Sequence, residues 1–278
     1  MTDDTTFAAA ESRLTPADFE RVRALIHQHA GINLPPSKRT MVFSRLSRRL
    51  RDTGHDSFEA YLNGVGGPGS GEWQSFVNAL TTNLTSFFRE AYHFPVLEQF
   101  LKSRADPGRP ASIWCAAAST GEEPYSLAIT ALEALGPRAG TRIFASDIDT
   151  NVLATARRGV YPLAAVESLD AGLRQRYFLR GVRDNAGFVR VRPELAALIT
   201  FSQVNLSSGD WPFREPFDVI FCRNVMIYFD AQVKSAVLER MHRALRPGGL
   251  LFVGHSENFT DRRDLFQLEG KTVYRRVG

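Results

Sequence analysis

The 278-residue chain is long enough for one large or two modest domains, and its 44% apolar share is ordinary for a globular protein. No apolar run reaches the roughly 18 residues of a membrane span, and Met1–Glu11 is polar and acidic, with no signal-peptide pattern. Two cysteines, Cys115 and Cys222, both in buried-strand contexts, exclude a disulfide framework and point to a reducing cytoplasm; the net charge of +4 marks a local patch, not a basic domain.

Thr15-Pro16-Ala17-Asp18 predicts a helix start: Thr15 as N-cap, Pro16 in the first turn and an acid three residues on. Phe19, Val22, Leu25 and Ile26 form its apolar stripe, and Gly31 ends it. Pro35-Pro36-Ser37 opens a second helix running to about Asp52, with Val42, Leu46 and Leu50 on its apolar face. Lys38, Arg39, Arg45, Arg48, Arg49 and Arg51 put six cations into fourteen residues with no acid among them. Shorter helices are expected at 57–62 and 71–80, around a glycine-rich loop at 64–71. No strand signal precedes residue 110, so the N-terminal part is all-helical. Thr82-Asn83-Leu84-Thr85-Ser86-Phe87-Phe88-Arg89-Glu90 then breaks the helical pattern with hydroxyls, an amide, two aromatics and an ion pair; it reads either as functional or as a polar linker pinned by its two phenylalanines. His93–Leu101 is helical again, and 107–110 is a turn.

Ile113-Trp114-Cys115-Ala116-Ala117-Ala118-Ser119-Thr120-Gly121-Glu122-Glu123-Pro124-Tyr125-Ser126 is the stretch on which the rest depends. It starts as a buried strand, passes through small residues and enters a helix with two acids and a proline in its first turn, the opening of a nucleotide-binding α/β fold. Neither the dinucleotide fingerprint nor the Walker pattern is present. Two acids in the turn would repel a pyrophosphate and would suit a ligand with a positive end, an ammonium or a sulfonium; a plain strand–helix turn is the competing reading.

Residues 141–146 form a strand ending in Asp147-Ile148-Asp149, where an acid can accept from ribose hydroxyls or cap the helix that follows. Residues 161–195 interrupt the alternation with a helix near 169–177 and two short alternating runs around a turn, a β-hairpin insert whose exposed faces carry Arg180, Arg183, Arg190 and Arg192. Strands follow at 199–204 and 217–222, then a helix at 231–245, a sharp Pro247-Gly248-Gly249 turn, a strand at 250–253 and two closing strands within 266–277. Ligands in such sheets sit at the carboxyl ends of the strands. Residues 115–123, Asp147, Asn205 and 223–228 all lie there.

Taken together, N-L-T-S-F-F-R-E, A-A-A-S-T-G-E-E-P-Y-S, S-D-I-D, F-C-R-N-V-M-I-Y-F and the late P-G-G-x-L resemble the chemotaxis receptor methyltransferases, S-adenosylmethionine-dependent enzymes that methylate glutamate side chains of bacterial chemoreceptors. The resemblance covers nearly the whole chain. It implies a Rossmann-like seven-strand class I methyltransferase sheet with a reversed last strand and a small β-hairpin insert, preceded by an all-helical N-terminal domain. The expected limits are 12–80 for the helical domain, 81–109 for the linker and connecting helix, and 110–278 for the methyltransferase domain, with the insert at about 177–195.

The resemblance further implies cofactor contacts from Asn83, Thr85, Arg89, Ala116, Glu122, Asp147, Asn205, Leu206, Cys222 and Arg223. It makes Arg89 and Tyr228 the candidates for catalysis. It gives Arg45, Arg48 and Arg49 to docking on the acidic methylation region of a chemoreceptor, against the alternative of a solvated basic face. In some members the hairpin binds a C-terminal receptor peptide; Val182 and Arg183 stand here where small residues or glycine are expected, which counts against tethering. S-adenosylhomocysteine would be the product. No metal, nucleic acid or membrane insertion is implied, and the protein would be cytoplasmic, recruited to membrane receptor arrays. A glutamate with a pKa of about 4.3 is already a nucleophile at neutral pH, so no general base is required. Two rivals are an N-methyltransferase, disfavoured because Asn224 is followed by Val225-Met226 and not by two prolines, and a cofactor-sensing module without catalysis.

Overall fold

A computed structural model describes residues 14–104, 108–137 and 140–278. Met1–Glu11, the first two residues of the expected helical domain and the Pro107 end of the predicted turn lie outside the described residues. By compactness the chain divides into two units: the first comprises the described residues up to Thr82 with Ser207–Gly209 and Tyr228–Lys234, the second Asn83–Leu206, Asp210–Ile227 and Ser235–Gly278.

The first unit is helical: α1 (Pro16–Ala30), α2 (Arg39–Thr53), α3 (Phe58–Gly64) and α4 (Trp73–Leu80). Thr15 and Asp18 form the expected capping box, Asp18 N donating to Thr15 Oγ1 and Thr15 N to Asp18 Oδ2, both at 3.1 Å. Phe19, Val22, Ile26, Val42, Leu46, Tyr61, Phe76 and Val77 are buried, so each helix turns its apolar stripe inward. Burial of one such side chain is worth about 1.5–3 kcal/mol. The Pro36–Lys38 segment is a 3-10 turn, and the α-helix starts only at Arg39.

The second unit begins with the irregular 83–90 segment and α5 (His93–Lys102). The α/β part follows: β1 (Ser112–Cys115), α6 (Glu122–Leu135), β2 (Arg142–Asp147), α7 (Thr150–Arg158), β3 (Val160–Pro162), α8 (Ala171–Tyr177), β4 (Phe178–Arg180), β5 (Phe188–Val191), α9 (Pro193–Ala196), β6 (Ile199–Gln203), β7 (Phe217–Cys222), α10 (Ala231–Ala244), β8 (Leu245–Val253), β9 (Phe266–Gly270) and β10 (Val273–Arg276). Seven strands form one sheet in the order β6-β2-β1-β7-β8-β10-β9. The first five run parallel, and β10 is antiparallel to both its neighbours, the reversed last strand expected from the family pattern. Strands β1 and β7 are central and apolar on both faces, as a sheet covered on both sides requires. Trp114 packs among Trp211, Phe213 and Phe217, and Phe221 stacks on Phe252 with centroids 4.2 Å apart.

Two local expectations change. The insert is a three-stranded antiparallel sheet, β3-β5-β4, in which Val160–Pro162 pairs with β5. Three residues ending in proline are too few to show a period of two. The Pro247-Gly248-Gly249 turn lies inside β8, which runs without a break from Leu245 to Val253 and shifts register between Phe217 and Val219 of β7. It is a bulge, where extra residues bend one strand without ending it.

Candidate active site at the carboxyl ends of the strands

The turn after β1 is made by its backbone. Ala116 N donates to Phe221 O and Ala118 N to Ser146 O, each at 2.8 Å, so the turn hangs from both neighbouring strands. Ser119 adopts the left-handed region at φ 48°, and its N–H donates to Asp147 Oδ2 at 2.9 Å. Gly121 has φ 102°, and a Cβ there would stand 2.6 Å from the Tyr161 hydroxyl and 2.8 Å from Ala156 Cβ. Only glycine fits both the conformation and the space.

The structure separates the two acid pairs. Glu122, half-buried at the start of α6, accepts from Thr120 Oγ1 at 2.6 Å, and burial raises its pKa. Glu123 is buried beneath it, accepting from Arg223 Nη1 at 2.9 Å and from Cys115 Sγ at 3.2 Å. Asp149 caps α7 through Oδ1, which accepts from Asn151 N at 2.8 Å, while Oδ2 accepts from Asn83 Nδ2 at 2.8 Å. Asp147 accepts from Asp149 N and Ser119 N, and burial pushes its pKa up to about 6. Glu122 is thus half-buried with a hydroxyl on it, whereas Glu123 is buried against Arg223. Asp149 divides its oxygens between the cap and Asn83, and Asp147 is buried on backbone N–H groups.

The 83–90 segment is tied down at both ends. Asn83 O accepts from Ser119 Oγ at 2.9 Å. At the other end Arg223 Nη2 donates to Arg89 O at 2.5 Å and lies 3.4 Å from Glu90 Oε2. Between them Thr85 is half-buried, Leu84 is 79% exposed, and Arg89 Nη1 donates to Leu84 O at 2.7 Å. Among the described residues that is the one hydrogen bond of the Arg89 fork, whose other N–H groups stay open. The Arg223 side chain is only 1% exposed and its Nε lacks a hydrogen-bond partner among the described residues. Glu90, at φ 54°, accepts from His255 Nδ1 at 3.1 Å and from Asn224 Nδ2 at 3.3 Å. Its carboxyl is driven down to about 2: burial opposes ionisation, and the His255 hydrogen bond, the Arg223 charge and Asn224 overcome it. His93 is buried and its pKa falls to about 4, chiefly by desolvation.

The remaining expected residues differ in what they present. Asn205 is half-buried and Leu206 is buried, its carbonyl accepting from Arg240 Nη1 at 2.9 Å. Cys222 is buried at the end of β7, and burial raises its thiol pKa. Tyr228 is half-buried in a 3-10 turn, Met226–Tyr228, and groups with the helical unit: its carbonyl accepts from Asn33 N at 2.7 Å, and Phe229 bridges Ile32. On α2, Arg45 Nη1 donates to Thr81 O at 2.5 Å, next to the end of α4. Arg49 forms a bidentate pair with Glu72, at 2.9 and 2.7 Å, which Tyr61 OH joins. Arg48 is 81% exposed, 3.9 Å from Asp52. Sequence reasoning noted Glu90 and Glu123 without giving them their buried partners, and it gave Glu257 no role. Their signal was an acid beside an apolar strand or aromatic run, a signal shared with many ordinary surface acids.

Residues 83–275 match the family described as "CheR methyltransferase, SAM binding domain", and residues 17–81 match "CheR methyltransferase, all-alpha domain". The chain belongs to the CheR methyltransferase family. Among its relatives, a "Chemotaxis protein methyltransferase" of Klebsiella aerogenes is 53% identical over 263 residues, 94% of this chain and 90% of that protein. "Chemotaxis protein methyltransferase 2" of Pseudomonas aeruginosa is 51% identical over 269 residues, 96% of each chain. The Escherichia coli "Chemotaxis protein methyltransferase" is 50% identical over 263 residues. The CheR chain is thus an S-adenosylmethionine-dependent methyltransferase. Its residues suit that cofactor: Glu122 is a half-buried carboxylate with one hydroxyl on it and a pKa raised by burial, an environment that an ammonium group would relieve. Among the described residues no helix is long and apolar enough to cross a membrane.

Proposed function

We propose that this CheR chain transfers the methyl group of S-adenosylmethionine to side-chain carboxylates of glutamates on bacterial chemoreceptors, forming methyl esters in chemotaxis adaptation. The observation that carries this reading is identity above 50%, over nine-tenths or more of both chains, to proteins named chemotaxis protein methyltransferases. The bound cofactor supplies an electrophilic methyl on a sulfonium. Glu122 receives the ammonium end and Asp147 the ribose hydroxyls, while Asn205 and Leu206 border the adenine. Asn83, Thr85, Ala116, Cys222 and Arg223 contribute from the surrounding backbone. That role suits Cys222, whose side chain is buried, and Arg223, whose side chain is buried and engaged by Glu123. Helical residues 12–80, the connecting 81–109 and residues 110–278 are the working division.

A glutamate carboxylate is ionised at neutral pH, so the protein has no proton to remove and chiefly supplies alignment, which can be worth several kcal/mol. The open fork of Arg89 matches a carboxylate bidentately. Tyr228 hydrogen-bonds the substrate carboxylate and orients its attacking oxygen. Docking on the acidic methylation helices falls first to Arg48, with Arg45 and Arg49 adding field from positions already paired. Recruitment to membrane receptor arrays follows from that docking. The test is methyl transfer from labelled S-adenosylmethionine to chemoreceptor-containing membranes, followed by mild alkali. Alkali-labile label supports the ester; alkali-stable label indicates nitrogen methylation; cofactor binding without label indicates a sensor module.

A further inference from the structure

Glu257 has no place in the scheme above, yet it is one of the most heavily engaged side chains in the second unit. It lies four residues beyond β8 and is 4% exposed. Its Oε2 accepts from Gly254 N at 2.6 Å and from Asn224 N at 2.9 Å; its Oε1 accepts from Met226 N at 2.9 Å. One carboxylate therefore holds three backbone N–H groups drawn from two loops, the one after β7 and the one after β8. Two of those donors flank Val225 in the segment that leads into the Met226–Tyr228 turn. Charge-assisted bonds of this kind are about twice as strong as neutral ones.

The geometry around Asn224 shows what is being held. Asn224 is left-handed, φ 58°, a conformation that costs energy unless its surroundings impose it. Its N–H is on Glu257 and its side-chain Nδ2 is on Glu90, the neighbour of Arg89. Gly254 completes the frame: a Cβ there would stand 2.3 Å from Asn224 Nδ2, so the two loops touch with no room between them. Glu90 in turn meets Arg223, whose Nη2 holds the Arg89 carbonyl. From Glu257 to Arg89 the connection runs by hydrogen bonds through Asn224 to Glu90, the residue next to Arg89, with Arg223 closing the loop.

We infer that Glu257 is a positioning residue for methyl transfer: its buried carboxylate clamps the 224–226 turn between the strand ends and so fixes Arg89, through Asn224 and Glu90. It does not touch the reacting atoms. A rigid second layer of this kind is what keeps a reacting pair aligned, and a misplacement of about 1 Å can cost about 100-fold in rate. The inference rests on the methyltransferase reading and on Arg89 as a group that faces the substrate.

Glu257→Gln tests it, because the amide keeps the size but offers one acceptor oxygen and turns an N–H₂ toward backbone N–H groups. The control is Asp218→Asn, which alters an equally buried carboxylate at the other end of β7. With chemoreceptor-containing membranes and labelled S-adenosylmethionine, kcat of Glu257→Gln is expected to fall about 10- to 100-fold while the dissociation constant for S-adenosylhomocysteine stays within about threefold. Asp218→Asn, assayed well below its melting temperature, keeps kcat. Asn224→Gly is the second variant: glycine accepts the left-handed conformation and keeps the N–H to Glu257 but deletes the link to Glu90, so the chain folds and kcat falls in the same direction. Unchanged kcat in Glu257→Gln, or an equal fall in Asp218→Asn, overturns the inference. If Glu257→Gln does not fold, Asn224→Gly decides alone, and wild-type turnover in it overturns the inference. Wild-type protein that transfers no label overturns the functional reading and this inference with it; active wild type with an equally active variant overturns only the inference.

Discussion

The two ends of the seven-stranded sheet satisfy buried carboxylates with different sets of partners, although Glu123 at the carboxyl end, like Asp218 at the other, faces an arginine. At the amino end Asp218 accepts from Ser112 N at 2.9 Å and from Arg109 at 2.5 and 3.1 Å, with Arg246 Nε 3.6 Å away. Its partners are mostly cations. At the carboxyl end Glu257, Asp147 and Asp149 are occupied largely by backbone N–H groups of loops. Five of the six left-handed non-glycine residues among those described lie at that end: Phe88, Glu90, Ser119, Asn224 and Thr272, whose carbonyl accepts from Val253 N at the end of β8. Each such residue costs of the order of 1–3 kcal/mol and persists only where its neighbours over-determine it. The amino end is built for stability. The carboxyl end spends stability to hold loops in the shapes that chemistry needs.

That contrast is broken most severely by Arg89→Ala. With the open fork removed, single-turnover methyl transfer at saturating cofactor should drop about 10²- to 10³-fold, with little change in melting temperature because the side chain makes one bond, to Leu84 O. Asp218→Asn should behave in the reverse sense, losing about 3 kcal/mol in denaturant unfolding as Arg109 is left without its charge partner, with turnover per folded molecule retained. Equal loss of turnover in both would erase the distinction between the ends. Tyr228→Phe is expected to lower kcat about tenfold and leave the dissociation constant for S-adenosylhomocysteine nearly unchanged. Parallel losses in both would remove Tyr228 from substrate positioning.

A smaller effect should follow pH. Glu90 has its pKa lowered from 4.5 to about 2, so the folded state binds fewer protons than the unfolded one between those values. Its stabilisation is present above about 4.5 and is lost as pH falls toward 2. The melting-temperature gap between wild type and Glu90→Gln should therefore narrow across that window; a constant gap would mean that the Glu90 charge contributes nothing. The smallest effects belong to α2. Arg48→Ala should raise KM for receptor membranes about two- to fivefold, an effect that fades with added salt, and leave stability alone. Arg49→Ala should cost about 1 kcal/mol of stability, because its pair with Glu72 is bidentate and partly buried.

Much of the fold was legible in residue pattern. Thr15 and Asp18 marked the first helix start, the two-sided apolar runs of β1 and β7 marked a covered parallel sheet, and Gly121 with its acids marked the ligand turn. These features are local: caps, periodicity and the space around a glycine act within a few residues of sequence. The β3 strand and the β8 bulge were less legible because both are defined by a partner strand far away in the chain.

The site divides along the same line. Sequence placed Arg89, Glu122, Asp147, Asn205 and Arg223 near strand ends or in the linker, because position in an α/β alternation is itself a local property. Only the tertiary structure shows how the acids of each pair differ: Glu123 is buried against Arg223 while Glu122 is half-buried, and Asp149 caps α7 while Asp147 does not. It alone turned the Arg223 side chain inward, paired Arg49 while leaving Arg48 in solvent, and brought Glu257 across 33 residues to Asn224. The reason is physical: a side chain's charge and acceptor capacity are fixed by its type, but what satisfies them is set by which backbone N–H groups and cations the fold packs within about 3 Å.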